Sequence, residues 1–290
     1  MYFVKHNAFH MKLFLIILLL FSLQTQAQTI LKFDKANAEC EDKWVAYQKN
    51  EKDSTYVFGF IYIDSQAGLT FHYDGNFKIE SDGKFNPSRS DASNSIKARL
   101  EPRNGIIAII PEEKFAELGI KAEPDWLKNY KTDENSIERL HRWGYFYNAY
   151  GLSGKALTYL EKAYAMNPKF PGVAFELGYA YNAIGQFVKA TDVLTVAIAT
   201  SPKECYLYKE LSFAYIHSNK IDDATKIATI GIEVCNEKPI QAEIAFNIAG
   251  KYFRDKDASN FNLWAKETRK WAQKDDMFSK YLVEMESKLR

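Results

Sequence analysis

Two stretches of the chain decide its fold: WGYFYNAYGLSGKALTYLEKAYAMNP, residues 143–168, and LGYAYNAIGQFVKATDVLTVAIATSP, residues 177–202. Many positions coincide when the second stretch is laid on the first with a shift of 34 residues. The identical pairs include Gly144/Gly178, Tyr147/Tyr181, Gly151/Gly185, Ala156/Ala190, Leu160/Leu194, Ala163/Ala197 and Pro168/Pro202. Chance does not produce so many identities in one register, so the sequence predicts a repeated structural unit.

The pattern resembles that of the tetratricopeptide repeat (TPR) family. In the first unit, the residues that carry the resemblance are Leu140, Trp143, Gly144, Tyr147, Ala156, Leu160, Ala163 and Pro168. The second unit has Ala174, Leu177, Gly178, Tyr181, Ala190, Leu194, Ala197 and Pro202 at the same positions. A third unit is looser, with Gly231 in place of Ala and Asn236 in place of Pro. The implied boundaries are 136–170, 171–204 and 205–238, then a degenerate TPR-like helical pair at 242–275 and a capping helix at 276–290.

The alternation of small and large residues has a physical reason in stacked helix pairs. Small residues such as Gly144 and Ala156 allow two helix axes to approach closely, and large residues such as Trp143 fill the space beside them. One unit cannot bury its apolar face alone, so about three must stack and the ends need polar caps. We therefore predict a small N-terminal α+β domain followed by an all-α TPR solenoid of antiparallel helix pairs with a C-terminal capping helix.

The resemblance also implies a concave groove lined by the first helix of each unit. The implied groove residues are His141, Tyr145, Asn148, Phe175, Tyr179, Asn182, Tyr206, Lys209 and Phe213, with Phe246, Phe253 and Arg254 from the degenerate unit. Asn amides can bond a peptide backbone in either sense, and aromatic side chains supply contact area. The alternative is that several of these aromatics pack against the N-terminal domain or the next helix. The basic residues with which some family members hold a terminal carboxylate are missing here.

Residues 28–132 differ from the repeats and match no family pattern. Phe33, Ala36, Cys40, Trp44 and Tyr47 recur at helical spacing and predict a helix. The predicted strands are Thr55–Asp64, Leu69–Tyr73, Phe77–Glu80, Ile96–Leu100 and Ile106–Ile110. We expect a hairpin turn at Asp74-Gly75-Asn76, a mobile loop over Asn86–Ser95, and short helices at Pro111–Leu118 and Pro124–Tyr130.

Residues 1–27 are typical of a signal peptide. Lys5 and Lys12 precede an apolar run over Leu13–Leu23, and Thr25-Gln26-Ala27 provides small residues for cleavage. The run is shorter than the roughly 20 residues that span a bilayer. A buried N-terminal helix is the alternative, and either Met1 or Met11 could be the start. The sequence thus predicts an exported protein, periplasmic or secreted.

Charge disfavours several classes of partner. The chain has 38 basic and 37 acidic residues, and removal of residues 1–27 takes away two Lys and no acid, which leaves a net charge of −1. We therefore expect neither nucleic acid nor an anionic membrane as a partner. No later segment is apolar enough to suggest a membrane span.

The cysteines and the short motifs predict little chemistry. Cys205 and Cys235 stand at the start and end of the third unit, so they form either a disulfide or two buried thiols, and Cys40 is expected to be free and buried. His72, His141 and His217 are not spaced as metal ligands, and Gly151–Lys155 fits a helix–helix turn better than a phosphate loop. We predict no catalytic residue, no metal and no cofactor.

These observations favour a non-enzymatic protein–protein scaffold of the bacterial envelope, with a peptide or protein in the aromatic groove. One alternative is a saccharide- or cell-wall-binding accessory protein that uses the aromatics Tyr62, Phe71, Tyr73 and Phe77 of the N-terminal domain, and it requires Phe71 and Tyr73 to share an exposed face. A hydrolase in the N-terminal domain is a third alternative. Fold alone does not choose among them, because function depends on the site.

Overall fold

The structure is a computed structural model that describes residues 31–89, 96–102 and 105–289. The predicted signal peptide, residues 1–27, lies outside the described residues. The chain divides into two compact units, Met1–Thr132 and Asp133–Arg290. Within the described residues, no helix has the length and apolar character needed to cross a membrane.

The N-terminal unit is built on an antiparallel sheet. Its strands, within the described part of the chain, are β1 (Lys43–Ala46), β2 (Tyr56–Asp64), β3 (Gly68–Ile79), β4 (Phe85–Arg89), β5 (Lys97–Arg99) and β6 (Ala108–Ile109). The strand order is β4-β3-β2-β1-β6, and β5 pairs with β3 beyond the end of β4. The α+β character agrees with the prediction, but β4 was not predicted, and the predicted strands Leu69–Tyr73 and Phe77–Glu80 are parts of the single strand β3.

Strand β2 is buried on both of its faces. Phe58, Phe60 and Tyr62 belong to an aromatic cluster on one face, and Ile61 and Ile63 are buried on the other. The cluster also contains Leu31, Trp44, Ala46, Phe77, Phe85, Ala108, Ile110, Leu118 and Leu127. Because residues alternate along a strand, burial on both faces leaves no polar alternation in the sequence.

The helix predicted from Phe33 to Tyr47 is wrong. The structure has a short 3₁₀ turn at Asn37–Cys40 and then strand β1. Trp44 pairs with Phe60 of β2, and the indole Nε1 of Trp44 donates to the Lys121 carbonyl at 2.7 Å. Of the five residues that gave the helical spacing, only Trp44 lies in β1, and Cys40 belongs to the 3₁₀ turn, so the spacing does not come from one continuous element.

The hairpin predicted at Asp74-Gly75-Asn76 is also wrong, because β3 runs through these residues. The register shifts there: Gly75 pairs with Phe58 and Tyr73 with Gly59, so Asp74 is the extra residue of a β-bulge. The chain instead reverses between β2 and β3, where Asp64 Oδ1 accepts from the Gln66 and Ala67 amides at 2.7 and 2.9 Å.

Two further segments differ in detail from the prediction. The segment predicted as a mobile loop over Asn86–Ser95 begins inside strand β4, and its residues 90–95 lie outside the described part of the chain. At Pro111–Leu118 a 3₁₀ turn leads into helix α1 (Phe115–Leu118). At Pro124–Tyr130 the structure has a 3₁₀ helix over Leu127–Tyr130. Both short helices were predicted.

The second unit consists of consecutive helices, as the repeat pattern predicts. In the described residues they are α2 (Ile137–Ala149), α3 (Ser153–Met166), α4 (Val173–Ala183), α5 (Phe187–Thr200), α6 (Cys205–His217), α7 (Ile221–Val234), α8 (Lys238–Arg254), α9 (Ala258–Trp271) and α10 (Met277–Leu289). Helices α3 and α5 end two residues before Pro168 and Pro202, since proline cannot continue a helix. The predicted helical solenoid is confirmed.

Glycine is required where the two helices of a unit approach closely. A Cβ atom on Gly178 of α4 would lie 2.5 Å from Cδ2 of Leu194 on α5. Gly144 of α2 meets Leu160 of α3 in the same way. The repeated Gly–Leu contact explains why these positions are identical in both units.

The last helices close the array. Helix α8 begins at Lys238, before the predicted residue 242, because Pro239 stands in its first turn, where proline favours a helix start. Helix α10 buries Leu282 in a cluster with Ala249, Phe261 and Ala265, and Met285 and Leu289 pack against this cluster. Its exposed surface is mixed, with Lys280, Glu284 and Lys288 beside the apolar Met277, Tyr281 and Val283.

Candidate functional site

The nine predicted groove residues lie on the first helices of the three units. His141, Tyr145 and Asn148 are on α2, whereas α4 carries Phe175, Tyr179 and Asn182, and α6 carries Tyr206, Lys209 and Phe213. Tyr145 is 51% exposed and Tyr179 is 36% exposed, so both rings are accessible. The asparagines are buried and the other side chains are half-buried.

A small cavity lies between α2 and α4. Its volume is about 160 Å³, and the residues that line it are Tyr145, Asn148, Ala149, Phe175, Glu176 and Tyr179. The sequence predicted four of these, Tyr145, Asn148, Phe175 and Tyr179, as groove residues. The structure therefore brings the central part of the predicted groove together, in a space that fits one side chain.

The two asparagines form matching buried pairs with glutamates of the next unit. Asn148 Nδ2 donates to the Glu176 carbonyl at 2.9 Å and to Glu176 Oε2 at 2.8 Å. Asn182 Nδ2 donates to the Glu210 carbonyl at 2.9 Å and to Glu210 Oε2 at 3.0 Å. Both Oδ1 atoms are buried and have no hydrogen-bond partner among the described residues. The amide nitrogens therefore join neighbouring helices and are not available to a peptide, which corrects the expected two-way bonding.

Glu176 and Glu210 were not predicted as site residues. The signal that could have found them is their spacing of 34 residues, the same as that of Asn148 and Asn182. Burial raises the pKa of Glu176; the Asn148 bond opposes that rise, and the charge of Glu210 adds to it. Burial also raises the pKa of Glu210, and the charge of Lys209 opposes it.

Lys209 lies between two carboxylates. Its Nζ atom is 3.4 Å from Glu210 Oε1 and 3.3 Å from Glu243 Oε1 on α8. The side chain of Lys209 is only 16% exposed. This lysine therefore balances the buried charge of Glu210. Its ammonium group is engaged in ion pairs inside the array.

His141 packs within the array. A Cβ atom on Gly172 would lie 2.8 Å from His141 Nε2, and the imidazole ring is 5.7 Å from the ring of Phe170. Burial lowers the pKa of His141, and the adjacent Arg142 acts in the same direction. Gly172 has φ of +83° at the start of α4, so glycine is favoured there on two grounds.

A second cavity lies at the loops that join the units. It has a volume of about 450 Å³, and Phe170, Phe175 and Tyr206 are among the residues that line it. The Phe175 and Tyr206 rings meet edge to face at 5.7 Å, and Tyr206 donates its hydroxyl proton to Glu237 Oε2 at 2.9 Å. Part of the predicted aromatic surface is thus engaged in contacts between units.

The capping helix packs against the fourth helix pair near the end of the predicted groove. The Phe246 ring lies 5.2 Å from Phe278 and 6.3 Å from Tyr281, both on the capping helix α10. The Phe253 ring packs 5.9 Å from Phe261 of α9. A cavity of about 110 Å³ between Phe213 and the fourth pair is lined in part by Met285 of α10 and Arg254. Phe246 and Arg254 line this cavity together with Phe213, so the structure brings two of the three residues expected from the degenerate unit next to the groove. Phe253 does not line this cavity and packs on α9 instead.

Cys205 and Cys235 are joined by a disulfide in the structure, with Cα atoms 4.9 Å apart. The bond connects the first residue of α6 to the residue after α7. Cys40 in the other unit is free and buried, and burial raises the pKa of its thiol to about 11. At that pKa the thiol is protonated at neutral pH and is a poor nucleophile.

The aromatic platform expected on the N-terminal unit is not present. Tyr62 and Phe77 are each 1% exposed and Phe71 is 7% exposed, whereas Tyr73 is half-buried. Phe71 packs edge to face on Tyr47 at 5.1 Å. Because Phe71 and Tyr73 do not form an exposed face, the condition set for saccharide binding fails. Within the described residues, no three His, Cys, Asp or Glu side chains cluster as metal ligands.

When the chain is compared with known proteins, it matches solved structures. No protein-family model and no curated protein matches the chain. TTC0263, a thermophilic TPR protein of Thermus thermophilus, is 18% identical, covers 56% of this chain and 85% of its own, and has a TM-score of 0.46. MamA of Desulfovibrio magneticus RS-1 is 18% identical, with 61% and 86% of the two chains covered and a TM-score of 0.42.

Proposed function

We propose that this chain is an exported bacterial scaffold protein without catalytic activity that binds a protein or peptide partner. The partner lies along the first helices α2, α4 and α6. The observation that carries the proposal is the pair of accessible tyrosines, Tyr145 and Tyr179, on either side of a cavity of about 160 Å³. Accessible tyrosines beside a small pocket are typical of the anchoring positions in protein interfaces.

The repeated architecture supports this function. Equivalent positions on successive first helices present side chains in a row, and such rows suit an extended segment or a helix of a partner. Export is supported by the pattern of residues 1–27, with cleavage after Ala27. Mass determination of the N-terminus of the chain from the producing cell tests that part, and an uncleaved N-terminus would contradict it.

Site-specific photo-cross-linking tests the groove. A photo-reactive residue replaces Ala183, which is exposed beside Asn182 on α4. The full chain is compared with Tyr145→Ala plus Tyr179→Ala and exposed to envelope extract. We expect a defined polypeptide to be cross-linked to the parent, and the signal to fall by about tenfold or more when both aromatic anchors are removed.

A matched control variant distinguishes binding in the groove from non-specific hydrophobic binding. Val188 and Val196 lie on α5, the second helix of the same unit, and are 72% and 55% exposed. The variant Val188→Ala plus Val196→Ala removes accessible apolar area away from the first helices and should retain the cross-link. Equal cross-linking by the tyrosine variant and the parent would refute the groove.

A further inference from the structure

The second and third units contain the same buried Asn–Glu pair but differ in how its charge is balanced. Asn148 bonds Glu176 and Asn182 bonds Glu210, with donor–acceptor distances of 2.8–3.0 Å. Glu176 is 7% exposed and Glu210 is 5% exposed. A buried carboxylate is costly unless a positive charge or several hydrogen bonds compensate it.

The third unit supplies its own cation. Lys209 precedes Glu210 and its Nζ atom lies 3.4 Å from the carboxylate. The residue one repeat earlier is Phe175, which carries no charge. Among the described residues, no basic side chain forms an ion pair with Glu176. The second unit therefore has the carboxylate of this arrangement without its cation.

Beside Glu176 is the cavity of about 160 Å³ between α2 and α4. No basic residue lines it, and Tyr145 and Tyr179 form part of its wall. Asn148, which is 4% exposed, also lines it; its two donor hydrogens are used on Glu176 and its Oδ1 atom has no partner among the described residues. The Glu176 carboxylate at this cavity therefore offers an acceptor and a negative charge, and tyrosine rings attract cations.

We propose that this cavity binds a lysine side chain of the protein partner, whose ammonium group takes beside Glu176 the place that Lys209 takes beside Glu210. The lysine stem packs between Tyr145 and Tyr179, which line the cavity. This inference rests on the proposed scaffold function and names the chemistry of its partner.

The test uses two small probes that share a four-carbon side chain, N-acetyl-lysine methylamide and N-acetyl-norleucine methylamide, of which only the first carries the terminal ammonium group. Binding to the full chain is followed through the methyl NMR signal of Ala149, which lines the cavity. We expect the lysine probe to bind at least about tenfold more tightly, as one charge-assisted hydrogen bond at a buried site provides.

Two variants locate the charge. Glu176→Gln keeps the shape of the side chain and should abolish the preference for lysine. Phe175→Lys places a lysine at the repeat position of Lys209, so it should fill the cavity from within and block the lysine probe. Phe175→Leu is its uncharged control and should keep the preference. Helical circular dichroism verifies that each variant is folded.

Equal binding of both probes, no shift with either probe, or an unchanged lysine preference in Glu176→Gln would overturn the lysine site. These results differ from a failure of the scaffold function. If photo-cross-linking through Ala183 persists while the two probes bind equally, the scaffold function is retained and the lysine-binding site is refuted. If the cross-link is absent from the parent, the scaffold proposal fails whatever the probes show.

Discussion

The N-terminal sheet and the helical array build their cores from contacts at different sequence distances. In the array, Gly178 packs on Leu194 of the next helix, and the same contact recurs one unit earlier between Gly144 and Leu160. In the sheet, Val45 of β1 pairs with Ile109 of β6, far along the chain. Local, repeated contacts leave a period in the sequence, and distant contacts do not.

The two units also differ in how their folds are stabilised. The sheet depends on a cluster of large aromatic side chains, in which Phe60 contacts Trp44 at 5.2 Å and Trp126 at 5.9 Å. The array also buries aromatics such as Tyr147, but its helices approach closely at small residues such as Gly178, and it contains the Cys205–Cys235 disulfide. Substitutions should therefore act through cavities in the first unit and through steric overlap or lost cross-linking in the second.

The largest effect is expected from Phe60→Ala. Phe60 is fully buried, and truncating a buried phenylalanine costs about 3–5 kcal/mol through lost contacts and the cavity left behind. Hydrogen exchange by mass spectrometry should show faster exchange in β2 and β3, with α4 and α5 less affected. Equally faster hydrogen exchange in all four elements would contradict the view that the two units are stabilised differently. Tyr145→Ala, at an exposed aromatic, is the control and should change little.

Loss of the disulfide comes next. The bond closes a separation of 30 residues, and in the loop-entropy model such a cross-link contributes roughly 3–4 kcal/mol. Cys235→Ser should lower the thermal midpoint, and a reductant should lower that of the parent without further affecting the variant. A thiol assay on the denatured, unreduced chain should find only the Cys40 thiol. Detection of all the cysteines as thiols would refute the bond.

A glycine pair tests the close helix approach. Gly178→Ala places a Cβ atom 2.5 Å from Leu194 Cδ2, so about 1–2 kcal/mol of stability should be lost despite the better helix propensity of alanine. Gly154→Ala on α3 is the matched control, since a Cβ atom there meets nothing within 4 Å. It should be neutral or slightly stabilising in urea unfolding. Equal effects would show that propensity outweighs packing.

The smallest effect is expected from Glu176→Gln, and it should depend on pH. Because burial raises the pKa of Glu176 above its unfolded value, the native state binds more protons and its stability falls as pH rises through the raised pKa. Glu176→Gln should therefore be about 1 kcal/mol more stable than the parent at alkaline pH. The difference should vanish below the ordinary carboxyl pKa. Urea unfolding across pH measures it.

Glu210→Gln sharpens the same test. Glu210 is paired with Lys209 at 3.4 Å, so its neutralisation leaves a buried lysine with less compensation. We expect this variant to gain less than Glu176→Gln at alkaline pH, or to lose stability. An equal gain from both variants would contradict the view that the two units balance their charges differently.

The site was predictable only in part. The repeat register placed Tyr145 and Tyr179 correctly on the first helices and made them accessible, since each unit repeats one local geometry. The same register predicted that the side-chain amides of Asn148 and Asn182 are accessible to a partner. In the structure they form hydrogen bonds with Glu176 and Glu210. A hydrogen bond across two units is decided by packing, and residue type alone does not identify its partner.

By itself, the sequence determined the helix pairs, their stacking order and the capping helix. Each is held by contacts within one unit or with its neighbour, and these contacts impose the same residues at every repeat. Tertiary contacts decided that β3 runs through Asp74-Gly75-Asn76 as a bulge and that Trp44 lies in a strand. They also decided that Glu176 and Glu210 are buried and bonded to asparagines of the preceding unit. Those features depend on strands and side chains that are distant in sequence. Burial on both faces of a strand and the pairing of buried charges do not produce a periodic pattern of residue types.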